Sequence, residues 1–271
     1  MTSTIDTICQ SLFSSGKELF LIFDRDGTLV PFTDNPADAI MDPQVRASLN
    51  RLSTIPGVHV GVLSARSVKQ LKIDLPDNKQ MLAGNYGLEI EQAHGVCFCH
   101  PIAHAARPFF EKTKALISKD LPEKFKSILE DHGLSLCLHW HKTPEDLRKE
   151  FHTIVSDIAK SVPELYFKTL TTSYEIWPDI EWDKGYGIAK MLELSELEAD
   201  NIIPLFAGDS LVDEPAFAWV NGHSGHGVLV GKNRPTTLAK YTLETPFLLH
   251  ELINRIEQLV PARQTSNGRV Q

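Results

Sequence analysis

Apolar positions along this chain follow two rhythms. Short unbroken apolar runs recur at Leu19–Phe23, Val58–Leu63, Met81–Gly84, Ile202–Ala207 and Gly227–Gly231. Runs of this length without polar alternation predict strands of a parallel sheet covered on both faces. Between them lie segments with apolar residues three and four apart, at Pro43–Leu52, Lys184–Leu194 and Pro246–Leu259, which predict helices. Asp42 is suited to cap a helix that has Pro43 at its first position. Residues 1–18 read as a polar lead-in with room for one helix, and Leu88–His100 as a hairpin turning at His94-Gly95. Strand, helix and strand at this spacing form a right-handed parallel unit, so the expected class is α/β with a Rossmann-like parallel-sheet core.

The rhythm changes near Pro108. Phe109–Leu129 has helical periodicity interrupted at Pro122, and Ser135–Trp140 alternates like a strand. Thr143-Pro144-Glu145-Asp146 combines a cap, a first-turn proline and first-turn acids, which predicts another helix start. Strands follow within Tyr166–Trp177. The block therefore reads as a smaller inserted α/β domain, dividing the chain into 1–107, 108–178 and 179–271. No internal repeat or low-complexity tract is visible. The tail from Pro261 to Gln271 is polar and is expected to be disordered. The glycine-rich stretch Gly222–Gly227 reads as a flexible connection.

Composition narrows the class. Of 271 residues, 42% are apolar and 23% charged, as in an ordinary globular protein. A net charge of −8 disfavours a nucleic acid or an anionic membrane as partner, but not a small anionic substrate. No segment has the form of a signal peptide or approaches the ~20 apolar residues needed to span a bilayer. Cys9, Cys97, Cys99 and Cys137 match no usual metal or redox spacing and read as reduced, buried residues of a cytoplasmic monomer.

The chemistry lies at the predicted strand ends. Asp24-Arg25-Asp26-Gly27-Thr28 follows the first strand, Ser64 the second, and Gly208-Asp209 the strand beginning at Ile202. In a parallel sheet these ends lie along one edge, where ligands bind. Asp-Gly is also a common turn signal, so the first motif alone is ambiguous. Clustered carboxylates call for a hard cation such as Mg²⁺, with Asp24, Asp26, Asp209 and Asp213 as candidate ligands. The set suits phosphoryl transfer. Asp24 would attack phosphorus, and Asp26 would protonate the leaving oxygen and then activate water. Lys184, Ser64 and the cation would hold the transferring charge, and Asp213 would buttress Lys184.

Asp24-x-Asp26-Gly27-Thr28, Ser64, Lys184 and Gly208-Asp209-x-x-x-Asp213-Glu214 are similar, in order, to the four motifs of the haloacid-dehalogenase-like phosphatases. Longer segments resemble the trehalose-6-phosphate phosphatase family: Asp26-Gly27-Thr28-Leu29 with Pro31 and Asn35–Ala39, Gly84–Ile90, Leu138–His141, Tyr174–Pro178 and Glu181–Gly185. The resemblance implies a Mg²⁺-dependent hydrolysis of a sugar phosphate through an aspartyl phosphate. It also implies a cap domain, corresponding to 108–178, that reads the sugar, and a phosphate site at Thr28, Ser64, Ala65, Arg66 and Lys184.

Departures from the family fall where the sugar would be read. His132 stands for the family's lysine, His141 for its cap-strand arginine and Trp177 for the arginine before Pro178. The family's loop histidine gives way to Asn85, with Tyr86 beside it. These four positions, with Glu89, His139 and Glu175, are the candidate substrate contacts. Losing arginines removes bidentate charge, whereas Trp177 could stack on a sugar face. Trehalose 6-phosphate is the first expectation and glucosylglycerol 3-phosphate the second. A non-catalytic sugar-phosphate sensor is a third, and it would have no need of the Asp24/Asp26 pair.

Overall fold

The computed structural model describes residues 3–33, 38–77, 79–92, 95, 97–232 and 234–267, with backbone alone over 261–267. Contacts divide the chain into two compact units. One comprises Met1–Ser64, Val68–Cys97 and Trp182–Gln271, and the other comprises Ala65–Ser67 and Phe98–Glu181.

The first unit is an α/β sandwich. Its strands are β1 (Glu18–Phe23), β2 (Val58–Leu63), β3 (Met81–Gly84), β4 (Glu89–Glu91) and the first residue of β5 (Cys97–Cys99), then β10 (Ile202–Gly208), β11 (His226–Val230) and β12 (Tyr241–Leu243). They lie in the order β12-β11-β10-β1-β2-β3-β4-β5. Pairing is parallel from β12 to β3, and β4 turns antiparallel to β3. The unbroken apolar runs have the expected cause, since every β1 residue after Glu18 is buried. Leu19, Leu21 and Phe23 pack into a cluster with residues of α1 (Thr4–Phe13), α2 (Pro43–Leu52) and α9 (Pro246–Asn267). The alternate residue Ile22 points to the other face, where a Cβ on neighbouring Gly61 would overlap the Met191 methyl. Met191 belongs to α7 (Lys184–Ser195), which packs beside α8 (Glu214–Gly222). α3 (Val68–Asp74) completes the helices of this unit.

The second unit has a four-stranded antiparallel sheet, β6 (Ile128–Asp131), β7 (Leu136–His139), β9 (Ser173–Pro178) and β8 (Leu165–Thr169), in the order β6-β7-β9-β8. Its helices are α4 (Pro101–Ala105), α5 (Arg107–Asp120) and α6 (Arg148–Ser161). Alternation divides the sheet chemically. Leu136, Leu138, Tyr174 and Ile176 join Phe110, Ile117, Phe151 and Val155 of α5 and α6 in an apolar core. Residues of opposite parity form a polar face, on which Glu130, Cys137, Glu175 and Lys168 stand side by side across the four strands.

Several expectations from the sequence need correction. The helix after Phe109 ends at Asp120, and Leu129 lies in strand β6. Pro122 and the left-handed Lys126 break the helical path, and cross-strand pairing takes over. Thr143 does not cap a helix, because its hydroxyl donates to the buried Phe125 carbonyl at 2.7 Å. A short 3₁₀ turn, Glu145–Leu147, precedes α6 instead. The polar tail does not begin at Pro261, since α9 runs through Asn267. The second half of the Gly222–Gly227 connection is tightly packed: a Cβ on Gly225 would overlap the Pro204 backbone, and His226 is a buried member of β11, whereas Gly222 and Ser224 are exposed. All four cysteines are free, but Cys97 is exposed. β12, α3 and α4, of 3, 7 and 5 residues, are too short to show in the pattern. His94 and Asn35–Ala37 lie outside the described residues. Among the described residues no helix is long and apolar enough to cross a membrane.

His226 is expected to make stability depend on pH. Burial, with Lys240 nearby, lowers its pKa from 6.5 to about 4, and its Nε2 bonds the Ser11 hydroxyl at 2.9 Å. Between pH 6.5 and 4 the unfolded chain binds the proton that the folded chain refuses, so stability falls as pH falls through this window. The loss is expected to be on the order of 2–3 kcal/mol. Urea unfolding from pH 7 to pH 4 should be flatter for His226→Gln than for the wild type. Parallel curves would contradict the assignment.

Candidate active site

β1 and β10 are parallel neighbours, with Phe23 opposite Ala207, and the Asp24 N–H donates to the Ala207 carbonyl at 2.8 Å. That register sets Asp24 beside the Gly208-Asp209 turn. Gly27 keeps the two loops close. Its φ is +83°, and a Cβ there would meet the Asp209 carboxylate at 2.6 Å. Thr28 Oγ1 lies 3.4 Å from Asp24 Oδ2 and 3.5 Å from Asp209 Oδ1.

Lys184 arrives from the start of α7, where Asp183 caps the helix by accepting from the Gly185 and Tyr186 N–H groups. The side chain is 2% exposed. Its ammonium donates to Asp24 Oδ1 at 2.8 Å and to Asp213 Oδ1 at 2.5 Å. Asp213 Oδ2 accepts from Asp209 N, Ser210 N and Ser210 Oγ at 2.9, 2.8 and 3.0 Å. Asp213 thus fixes both the lysine and the loop that carries Asp209. Arg234 braces that loop from outside, donating to the Asp209 and Ser210 carbonyls at 3.0 Å each and to Glu214 at 2.9 Å.

The electrostatics follow from burial. Desolvation pushes Asp24 well above the usual carboxylate range, against the pull of Lys184 and with Asp213 and Asp209 adding to the rise. Desolvation and Asp213 push Asp209 up to about 6. Burial opposes the charge on Lys184, yet Asp213 and Asp24 hold its pKa above the ordinary lysine value. Oxygens of Asp24, Asp209 and Asp213 all lie within 4.8 Å of one another. Three carboxylates around one ammonium form an oxygen-only donor set with excess negative charge, which suits a hard divalent cation.

Asp26 stands outside this cluster. Arg25 is buried and holds it, through Nη1 to Asp26 Oδ1 at 2.5 Å, Nε to Asp74 at 2.6 Å and Nη2 to the Ala39 carbonyl at 2.5 Å. The Asp26 side chain keeps 30% exposure, against 7% for Asp24. One acid is thus sequestered beside an ammonium, and the other is oriented at the edge of the site.

A family model described as trehalose-phosphatase matches residues 22–246. The chain belongs to the trehalose-phosphatase family. It is similar to trehalose-phosphate phosphatase B of Arabidopsis thaliana, 25% identical over 90% of this chain and 67% of that protein. It is also similar to probable trehalose-phosphate phosphatase 4 of Oryza sativa subsp. japonica, 28% identical over 90% and 67%. Its fold matches the C. albicans trehalose-6-phosphate phosphatase C-terminal domain with a TM-score of 0.77 at 20% identity, covering 95% of this chain and 97% of that one. Membership of the trehalose-phosphatase family makes the chain a phosphoric monoester hydrolase, with a sugar phosphate as its class of substrate.

The other candidate residues of this trehalose-phosphatase relative are placed as follows. Ser64 is buried at the end of β2, and its carbonyl accepts from Tyr86 N at 2.8 Å. Ala65 and Arg66 follow it and belong to the second unit. Asn85 is fully buried and donates to Glu89, which also accepts from Val68 N at 2.7 Å. Asn85 and Tyr86 both have positive φ, 50° and 58°. Trp182 secures this left-handed pair by donating to the Tyr86 carbonyl at 2.9 Å, and the Tyr86 ring lies 5.8 Å from the Lys184 ammonium. In the second unit Glu175 and Trp177 share the polar face of β9. His139 pairs with Glu130 at 2.9 Å, and the buried His132 lies 3.9 Å from the same carboxylate. β7 ends at His139, so His141 sits in the following turn, with its ring 5.9 Å from that of His139. Sequence reasoning gave no role to Arg25, Asp74 or Arg234. Only Arg25 carried a signal, as a base set between two acids.

Removing Asp213 leaves the Lys184 ammonium buried with half its pairing and strips the Asp209 loop of its anchor. Asp213→Ala is expected to lower the unfolding free energy by about 3–5 kcal/mol. Urea denaturation checks this, and a loss below about 1 kcal/mol would contradict the anchoring role.

Proposed function

We propose that the protein hydrolyses trehalose 6-phosphate to trehalose and phosphate by two displacements at phosphorus, with Asp24 as the carrier. The observation that carries this reading is the buried Lys184 ammonium shared by Asp24 and Asp213 beside Asp209. In the first step an Asp24 oxygen bonds to phosphorus and the bond from phosphorus to the sugar oxygen breaks. Asp26 gives its proton to that leaving oxygen. In the second step Asp26 takes a proton from water, the water oxygen bonds to phosphorus, and the Asp24–phosphorus bond breaks to release phosphate. Lys184 offsets charge on the phosphoryl oxygens, while Thr28, Ser64, Ala65 and Arg66 complete the phosphate site. Asp24 and Asp209 would hold Mg²⁺, with Asp213 and the Asp26 segment behind them. The ion would add positive charge against the transferring group.

For the sugar, Glu175 would accept from hydroxyls and Trp177 would stack on a ring face. His132, His139, His141, Asn85 and Glu89 complete the proposed substrate contacts. The departures at His132, His141 and Trp177 favour a second reading, hydrolysis of another phosphorylated glucoside such as glucosylglycerol 3-phosphate. The intact Asp24/Asp26 pair argues against a non-catalytic sensor, which would need neither a nucleophile nor a proton carrier. Four free cysteines accord with a reducing, cytoplasmic setting. One chain carries every proposed group, which is the basis for proposing a monomer.

Phosphate release with Mg²⁺ should be measured on trehalose 6-phosphate, glucosylglycerol 3-phosphate, sucrose 6-phosphate and glucose 6-phosphate. The highest kcat/KM is expected on trehalose 6-phosphate. Equal, weak rates on all four would sink the assignment of a specific disaccharide. Asp24→Asn is expected to lower kcat by at least about 10³-fold, and EDTA to remove wild-type activity reversibly. Near-normal turnover in either case would overturn the nucleophile or the metal.

A further inference from the structure

We infer that the second unit carries a transition-metal site of its own, formed by Glu130, Cys137 and His139. This inference is independent of the reading of Asp24 as nucleophile, because all three ligands lie within the second unit.

Strand geometry brings the three together. Glu130 of β6 and Cys137 of β7 are direct cross-strand partners, so their side chains leave the same face of the sheet. His139 lies two residues beyond Cys137 and shares that face. One ligand atom from each, a carboxylate oxygen, a sulfur and an imidazole nitrogen, lies within 4.8 Å of the other two. His139 Nε2 is 2.9 Å from Glu130 Oε2. A tetrahedral Zn²⁺ with bonds of about 2.0–2.3 Å places its ligand atoms roughly 3.3–3.8 Å apart. The 4.8 Å limit on their separation exceeds that spacing by only about 1 Å. All three side chains are partly buried and stand on paired strands rather than on loops, which fixes their directions.

The donor chemistry selects the ion. Mg²⁺ takes oxygen ligands, as at the Asp24 cluster, and has little affinity for sulfur or imidazole. One thiolate, one imidazole and one carboxylate suit Zn²⁺, or Co²⁺ in its place, with water in the fourth position. His132, whose Nε2 lies 3.9 Å from Glu130 Oε2, is a nearby further donor. Binding releases the thiol proton of Cys137, and any proton carried by His139, to solvent. The chain would then hold two cation sites sorted by ligand hardness, one all-oxygen and one of mixed sulfur, nitrogen and oxygen. The mixed site shares its face of the sheet with Glu175, the cross-strand neighbour of Cys137.

The test is a Co²⁺ titration of the full-length protein with Mg²⁺ in large excess to occupy oxygen-only sites. The expected result is a thiolate-to-cobalt charge-transfer band in the near ultraviolet, saturating at one equivalent and abolished by added Zn²⁺. Cys137→Ser should remove the band, while a Cys97→Ser/Cys99→Ser double variant keeps it. His139→Gln should leave the fold intact by circular dichroism and weaken Co²⁺ binding at least about tenfold, since losing a direct ligand costs no less than losing its outer-shell support. Absence of the band in wild type would overturn the site. So would a band that survives Cys137→Ser, one that vanishes in the Cys97/Cys99 variant, or unchanged affinity in His139→Gln.

Discussion

The buried Lys184 ammonium is the interaction on which the first unit's chemistry depends. Asp24 and Asp213 are nearly or wholly buried, and Asp209 lies beside them. Carboxylates so close together repel, and desolvation adds to the cost of ionising them. One lysine, held at a capped helix start and bonded to two of the acids, makes the arrangement tolerable. It does not neutralise it. Two carboxylates remain in excess, and desolvation first, then that surplus, raises the pKa values of Asp24 and Asp209. Such a deficit of positive charge suits a hard cation.

Around that pair the fold adds supports that have no chemistry of their own. Asp213 uses one oxygen for the lysine and the other for the Asp209 loop, so a single side chain sets two distances at once. Arg234 and Glu214 brace the same loop. Arg25, between the two acids in sequence, turns away from Asp24 and binds Asp26 and Asp74. The Asn85-Tyr86 turn adopts two consecutive left-handed residues, an unfavourable conformation that Trp182 and Glu89 hold in place. Gly87 and Gly187 make this possible. A Cβ on Gly87 would meet the Gly187 backbone at 2.5 Å, so the turn can approach α7 only where both lack side chains.

Much of this was legible in the sequence. The unbroken apolar runs marked the parallel strands because burial on both faces leaves no polar positions, and strand ends then fixed which acids share an edge. The four motifs located Asp24, Ser64, Lys184 and Asp209. Legibility failed where tertiary partners decide. Thr143 had the signs of a helix cap, but the Phe125 carbonyl claimed its hydroxyl. Leu129 continued a helical pattern, but cross-strand pairing with Leu138 made it a strand residue. Arg234 lies 25 residues from Asp209, and no local spacing announces their contact. In the second unit, alternation over Ser135–Trp140 correctly marked a strand, Leu136–His139, although His141 falls in the turn after it. That Glu130 stands opposite Cys137 depended on a β6–β7 register invisible in a segment read as helix.

The central claim is that phosphorus is passed through the Asp24 carboxylate. The most direct measurement is to quench the enzyme in acid during turnover of trehalose 6-phosphate, reduce the trapped protein with borohydride and sequence it by mass spectrometry. An aspartyl phosphate at Asp24 would be reduced to homoserine at that position, in an amount that falls to background without substrate. Homoserine at another aspartate, or none at all while phosphate is being released, would contradict the account.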